Sequence, residues 1–210
     1  MKITATLTVI AAAALASAAS AASPPLTLAS SAPTVVYGKS VTLSGVLTPP
    51  KANQQITVQA LACGTTKAVN LARVRTAANG SYATTASPAV ATTYQATQKA
   101  TKSAPVTVNV KPIVTIKRVK RGSFTASVTA GTDLKGKTLL FQRYATVRKR
   151  WVQVKKVTLT TSVPGPAKPT VIASAPFKAK VARRARVRLV ISKAQAAPCY
   201  IAATSNSLRA

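Results

Sequence analysis

Apolar and polar residues alternate along this chain in short runs, and that period of two narrows the available folds more than any other feature. The runs cover 41–47, 56–61, 71–76, 81–86, 92–98 and 106–110. Successive side chains of a strand point to opposite faces, so such a run buries one face and wets the other. Runs at roughly 8–15-residue spacing, with no helical stretch between them, predict an all-β sandwich or barrel. Asn79-Gly80 predicts a hairpin turn, because both residues tolerate positive φ. That turn is a better reading of Asn79-Gly80-Ser81 than a glycosylation acceptor. Pro49-Pro50 and Ser87-Pro88 mark loops. Val and Thr are abundant and aromatic residues are only 4% of the chain. Such cores are small and filled by Val, Leu, Ile and Ala, which means small domains.

The chain also resembles itself. A shift of 83 residues lays Ser40-Val41-Thr42-Leu43-Ser44 on Ser123-Phe124-Thr125-Ala126-Ser127. Without a gap, Ile56-Thr57-Val58-Gln59 then meets Leu139-Leu140-Phe141-Gln142, and Val69-Asn70-Leu71 meets Val152-Gln153-Val154. A repeat this long is a whole domain. The boundary falls at Lys111-Pro112, giving β units over 24–111 and 112–210, each near the size of an immunoglobulin-like sandwich.

Three stretches carry a family resemblance: Tyr37-Gly38-Lys39-Ser40-Val41-Thr42-Leu43-Ser44-Gly45, then Asn79-Gly80-Ser81-Tyr82, then Thr92-Thr93-Tyr94-Gln95-Ala96. Their order resembles the Ig-like repeats of secreted and cell-surface actinobacterial proteins. Leu134-Lys135-Gly136-Lys137, Leu139-Leu140-Phe141-Gln142-Arg143 and Trp151-Val152-Gln153-Val154 continue the pattern in the second unit, which departs from it after Leu159. The resemblance implies two tandem immunoglobulin-like β-sandwich domains, an extracytoplasmic address and no catalytic residues. It also implies a structural tyrosine-corner role for Tyr94, whose hydroxyl would bond to nearby backbone.

The first residues give the same address. Met1-Lys2, an apolar run from Ile3 to Leu15 and Ala19-Ser20-Ala21-Ala22 predict a signal peptide over 1–22. The run is too short and too rich in Ala and Thr for a membrane anchor, and no later stretch would span a bilayer. No Cys stands at the processing site to carry a lipid.

Charge limits the chemistry. Lys and Arg number 30 against a single acid, Asp133, with no Glu and no His. General acid–base catalysis normally draws on His, Glu or Asp; hard-metal sites need several carboxylates; zinc needs more Cys and His than two cysteines supply. There is no Ser-x-x-Lys and no Gly-x-Ser-x-Gly. Asp133 stands in Gly131-Thr132-Asp133-Leu134, a turn context in which Asp bonds its own backbone. A non-enzymatic protein without cofactor or metal is the expectation.

Residues 24–111 hold eight Lys and Arg, whereas 112–210 hold 21, a net +20 with Asp133. The second set clusters at Lys117-Arg118, Lys120-Arg121, Arg148-Lys149-Arg150 and from Lys178 through Lys180, Arg184 and Arg186 to Arg188. Alternation of Arg184, Arg186 and Arg188 with Ala185, Val187 and Leu189 predicts one strand with three guanidinium groups on one face. Three readings stand. The charge keeps an exported protein soluble and protects edge strands; or it attaches the protein to an acidic envelope polymer or polysaccharide; or it binds nucleic acid through counterion release. Export and the lack of an RNP-like or zinc module weigh against the last. Trp151, beside the basic triplet, reads as a core or hairpin residue, with stacking on a sugar as the alternative.

Cys63 and Cys199 lie 136 residues apart, one in each unit. Cysteines of exported proteins are usually oxidised, so an inter-unit disulfide is expected, with free or intermolecular thiols as the alternative. A nucleophilic Cys has no His to activate it. The chain is thus expected to be an exported structural or adhesive protein of the cell envelope or extracellular space.

Overall fold

A computed structural model describes residues 25–210; the signal peptide expected over 1–22 lies outside the described residues. The described chain is nearly all β, with one short helix, α1 (Lys193–Ala196). No helix in it is long and apolar enough to cross a membrane. Nine strands precede Pro112: β1 (Ala29–Ser30), β2 (Thr34–Val36), β3 (Val41–Val46), β4 (Gln55–Ala62), β5 (Val69–Arg75), β6 (Ser81–Ala86), β7 (Thr92–Gln98), β8 (Thr101–Lys102) and β9 (Val106–Lys111). They build a three-stranded sheet, β1-β3-β6, and a six-stranded one, β2-β9-β7-β4-β5, with β8 on β7. β2 runs parallel to β9, and the other pairs are antiparallel.

Nine more follow: β10 (Ile113–Lys120), β11 (Ser123–Ala130), β12 (Thr138–Ala145), β13 (Arg150–Thr158), β14 (Thr161–Pro164), β15 (Val171–Lys178), β16 (Arg186–Ile191), β17 (Ala203–Thr204) and β18 (Leu208–Arg209). Their sheets are β10-β11-β15-β14 and β13-β12-β16-β17, with β18 also on β16. All strand pairings among the described residues stay on one side of Pro112.

Alternation sets the burial. In β3, Val41 and Leu43 are buried while Thr42 and Ser44 are exposed; in β16, Val187, Leu189 and Ile191 are buried between wetter neighbours. All three phenylalanines belong to the second half. Phe124 and Phe177 are cross-strand partners on β11 and β15. Phe141 reaches them from β12 in the other sheet, at ring separations of 5.3 and 5.1 Å. The two sheets of that half therefore pack face to face, as apolar faces must to leave water.

The 83-residue shift holds in the backbone. β4 pairs with β5 through a bulge between Val58 and Gln59, and β12 pairs with β13 through a bulge between Phe141 and Gln142. Each bulge sits at the position the shift assigns. The Asn79-Gly80 expectation needs correction. Gly80 does adopt φ 75° and the segment is a turn, with Ser81 N–H donating to Asn79 Oδ1. However, β5 and β6 belong to different sheets, so the turn carries the chain across the core and closes no hairpin. In the stretch after Leu159, β14 adds an edge strand to β15.

Cys63 and Cys199 form a disulfide with Cα atoms 5.4 Å apart. It is one of several ties between the halves. Ala91 N–H donates to the Cys199 carbonyl (2.9 Å) and Ile201 N–H to the Val110 carbonyl (3.1 Å). The buried Tyr200 hydroxyl accepts from Gly131 N–H and donates to the Ala89 carbonyl. Gly131 is required there, since a Cβ would stand 2.8 Å from the Ala89 carbonyl oxygen.

Candidate functional site

Strand direction gathers the basic clusters at one end. β10 and β15 start near the junction and run away from it to Lys120 and Lys178, which both lie level with Ser123 of β11. The hairpin joining β12 to β13, with Arg148, Lys149 and Arg150, opens at the same end of its sheet, where β16 begins at Arg186 and pairs with Arg209. Four clusters scattered over 70 residues thus share the end remote from the disulfide. Asp133 sits at the junction end, in the 131–137 turn, so no acidic side chain stands among them. It accepts the Lys135 N–H at 2.8 Å as a turn aspartate does, and that bond holds its carboxyl below its ordinary value.

Two open grooves cut this end. One of about 900 Å³ is lined by Lys120, Arg121, Lys178 and Lys180 around Gly122 and Ala179. Its floor is the tight turn between β10 and β11, which Gly122 closes at φ 70° while its carbonyl accepts the Ala179 N–H. The second, about 460 Å³, adds Arg118 and Arg183. Lys178 and Lys180, expected to act with the arginine row, join Lys120 and Arg121 instead. Sequence spacing could not show that partnership, because it arises from the pairing of β11 with both neighbours.

The arginine row itself is shorter than expected. β16 begins at Arg186; Arg184 lies in the preceding turn at φ 61°, its N–H donating to the Ala210 carbonyl. The turn interrupts the alternation, so only Arg186 and Arg188 share the outer face. There they meet aromatic rings. The Arg188 guanidinium lies 4.1 Å from the Trp151 ring centroid, and its Nε donates to Gln142 Oε1 at 2.9 Å. Arg186 lies 5.7 Å from the Tyr144 ring and 6.0 Å from Trp151, whose own rings meet edge-on at 5.4 Å. Partial burial draws the Arg188 guanidinium below its ordinary value, yet an arginine stays charged. Trp151 is therefore a strand residue on the outer face, half-buried under an arginine and outside the core. Gln153 stands opposite Gln142 across the bulge. Tyr144, Gln142 and Gln153 belong to no motif; the sequence signal that places them on one face is the 142/144 alternation set against that of 151/153.

Tyr94 is buried in β7, with the Thr92 side chain against its hydroxyl, and burial raises its pKa. Bonds from tyrosine hydroxyls to backbone carbonyls are made by Tyr82 to Thr27 and by Tyr200 to Ala89. No group of three His, Cys, Asp or Glu is placed to hold a metal among the described residues. The chain matches no protein-family model and no curated protein.

Proposed function

We propose that this is an exported, non-enzymatic protein of two tandem immunoglobulin-like β sandwiches, 24–111 and 112–210, that attaches to an acidic polymer or polysaccharide of the cell envelope or its surroundings. The observation that carries this reading is the convergence of separate basic clusters on one end, with no acidic side chain among them. Like charges brought together repel, and a bound polyanion relieves that repulsion. A charge that served solubility alone has no reason to collect at one end or to line a groove. The strand orders, with sheets β1-β3-β6 and β2-β9-β7-β4-β5 in one half and a four- and a five-stranded sheet in the other, support the sandwich assignment. The other half, tied on by the disulfide, serves as a spacer or platform.

The test is binding of the mature chain to polyuronate, polyphosphate and DNA at 50 and 200 mM salt. The reading expects tight binding at low salt that weakens in proportion to the number of anions neutralised. No binding to any of the three at low salt would leave solubility as the better account.

A further inference from the structure

The outer face of the β13-β12-β16 sheet differs from the grooves in kind. The grooves are lined by exposed lysines and by Arg118, Arg121 and Arg183, none of which stacks on a ring among the described residues, so they attract anions without selecting a shape. On the sheet face, the guanidinium groups are held flat. Arg188 is fixed twice, over the Trp151 ring at 4.1 Å and by its Nε bond to Gln142. Arg186 lies between Tyr144 and Trp151, and its remaining contact is a long bond to Ser207. As residues two apart on a strand, the pair is spaced at about 7 Å. Stacking orders the planar groups in advance while leaving their outer N–H edges free, so less side-chain entropy is lost when a planar anion binds.

The rest of the face is amide and phenol. Gln142 and Gln153 are cross-strand partners beside the stack, and Tyr144 closes it on the other side. These groups both donate to and accept from hydroxyls, whereas an ionised phosphate chain can use only their donors. The Trp151 ring is covered by Arg188, so a nucleobase has no open face there to stack on. The 83-residue shift supplies an internal control. The equivalents of Gln142, Tyr144, Trp151 and Gln153 are Gln59, Leu61, Ala68 and Asn70. Opposite Gln59 and Leu61, where the second half has its arginines, stand Gln95 and Thr93. The equivalent positions of the first half therefore carry amides, a hydroxyl and aliphatic side chains, with neither cation nor ring, and the arginines of that sheet face, Arg73 and Arg75, lie on the other side of the bulge. The arginine–aromatic set is an addition to a common scaffold, and the strands fold without it.

We propose that this face is a binding site for an acidic sugar, a carboxylate-bearing pyranose of a uronic-acid polymer. Arg186 and Arg188 hold the carboxylate, and Gln142, Gln153 and Tyr144 meet the hydroxyls. The inference rests on the polyanion reading and narrows it to one ligand class at one face.

Trp151 is the only tryptophan in the chain, so its fluorescence reports on this site alone. The experiment titrates the mature protein with oligogalacturonate, polyphosphate and single-stranded DNA, with R186K/R188K and Q153A as variants. The double lysine variant keeps net charge but loses the planar, stacked fork. Oligogalacturonate should change the Trp151 emission, and R186K/R188K should weaken its binding by about tenfold, the loss expected for a bidentate contact. Q153A, which leaves the stack intact, should weaken it by about three- to fivefold, one hydrogen bond's worth. Polyphosphate binding should change less than about twofold in both variants. Oligogalacturonate affinity unchanged in both variants would overturn the site while leaving polyanion attachment standing. DNA losing affinity in step with the variants, and oligogalacturonate not, would reassign the face to nucleic acid. Failure of all three polymers to bind wild type would overturn both readings.

Discussion

The two halves of the chain share a strand plan and diverge at their surfaces and cores. β3, β4 and β5 reappear as β11, β12 and β13 at a fixed shift, down to the bulge after Val58 and its counterpart after Phe141. A bulge re-aims the side chains beyond it and raises local twist. Here it does so in both halves, yet only the second half places rings and arginines beyond the bend. The difference teaches that scaffold and surface chemistry are separable in this molecule: backbone geometry is common property, and side chains facing water differ. The cores differ too. The first is filled by aliphatic side chains with Tyr37, Tyr82 and Tyr94, and the second centres on the Phe124–Phe141–Phe177 trio.

The largest expected effect comes from separating the halves at their clamp. Replacing Cys63 and Cys199 by Ser opens a loop of 136 residues, for which the loop-entropy account gives a loss of up to ~5 kcal/mol. Guanidinium unfolding should show it, and a second transition would mean that the halves unfold independently once unclamped. Next is the contrast in cores. Phe141→Ala removes the ring that joins both sheets and should cost about 3–5 kcal/mol, whereas Ile56→Val in the first half should cost about 1 kcal/mol. Similar losses for the two would deny the phenylalanine trio its central place.

The smallest expected effect is that of pH, and its sign follows from residue types. The chain has no His and no Glu, both cysteines are bonded, and the Asp133 carboxyl is held low by the Lys135 N–H. Stability from a depressed carboxyl is lost only at acid pH, below the ordinary value near 4. The thermal midpoint should therefore stay flat from about pH 5 to 9. Above that window the tyrosines act. Burial pushes Tyr82 up to about 12, and Tyr94 and Tyr200 in the same direction. A raised folded value stabilises the fold while the unfolded tyrosine keeps its proton, so stability should fall as pH rises from about 10 through 12. A midpoint that moved between pH 5 and 9 would show that a group other than these, such as the α-amino terminus, changes its protonation on folding.

Much of the fold was legible because alternation is a local signal. β6 and β7 match their sequence runs at both ends, and the disulfide is the pairing expected of two cysteines in a chain read as exported. Asn79-Gly80 closes no hairpin although its sequence suits one, because a turn residue pair specifies local φ and leaves open which sheet the next strand joins. Arg184 lies off the strand face for a related reason: alternation of Arg with small residues already begins in the turn before β16, where a positive φ precedes the strand. The site was the least legible part. Lys120 and Lys178 meet only through register across β11, and Arg188 finds Trp151 only because β12 lies between their strands. Those are long-range pairings that no short window contains.

The central claim is that position, and not net charge, makes the second half the binding half. Two charge-matched variants of the full mature chain test it. One replaces Lys120, Arg121, Lys178 and Lys180, which line the basic groove, by Gln; the other replaces Lys39, Lys51, Lys67 and Lys102 of the first half by Gln. All eight side chains are exposed, so neither set should cost much stability. Binding to polyuronate is measured from 50 to 200 mM salt. A shallower salt slope is expected for the groove variant, since each lost contact removes the release of one counterion from the polymer, and a slope within error of wild type for the other. Equal slopes for the two variants would contradict the claim.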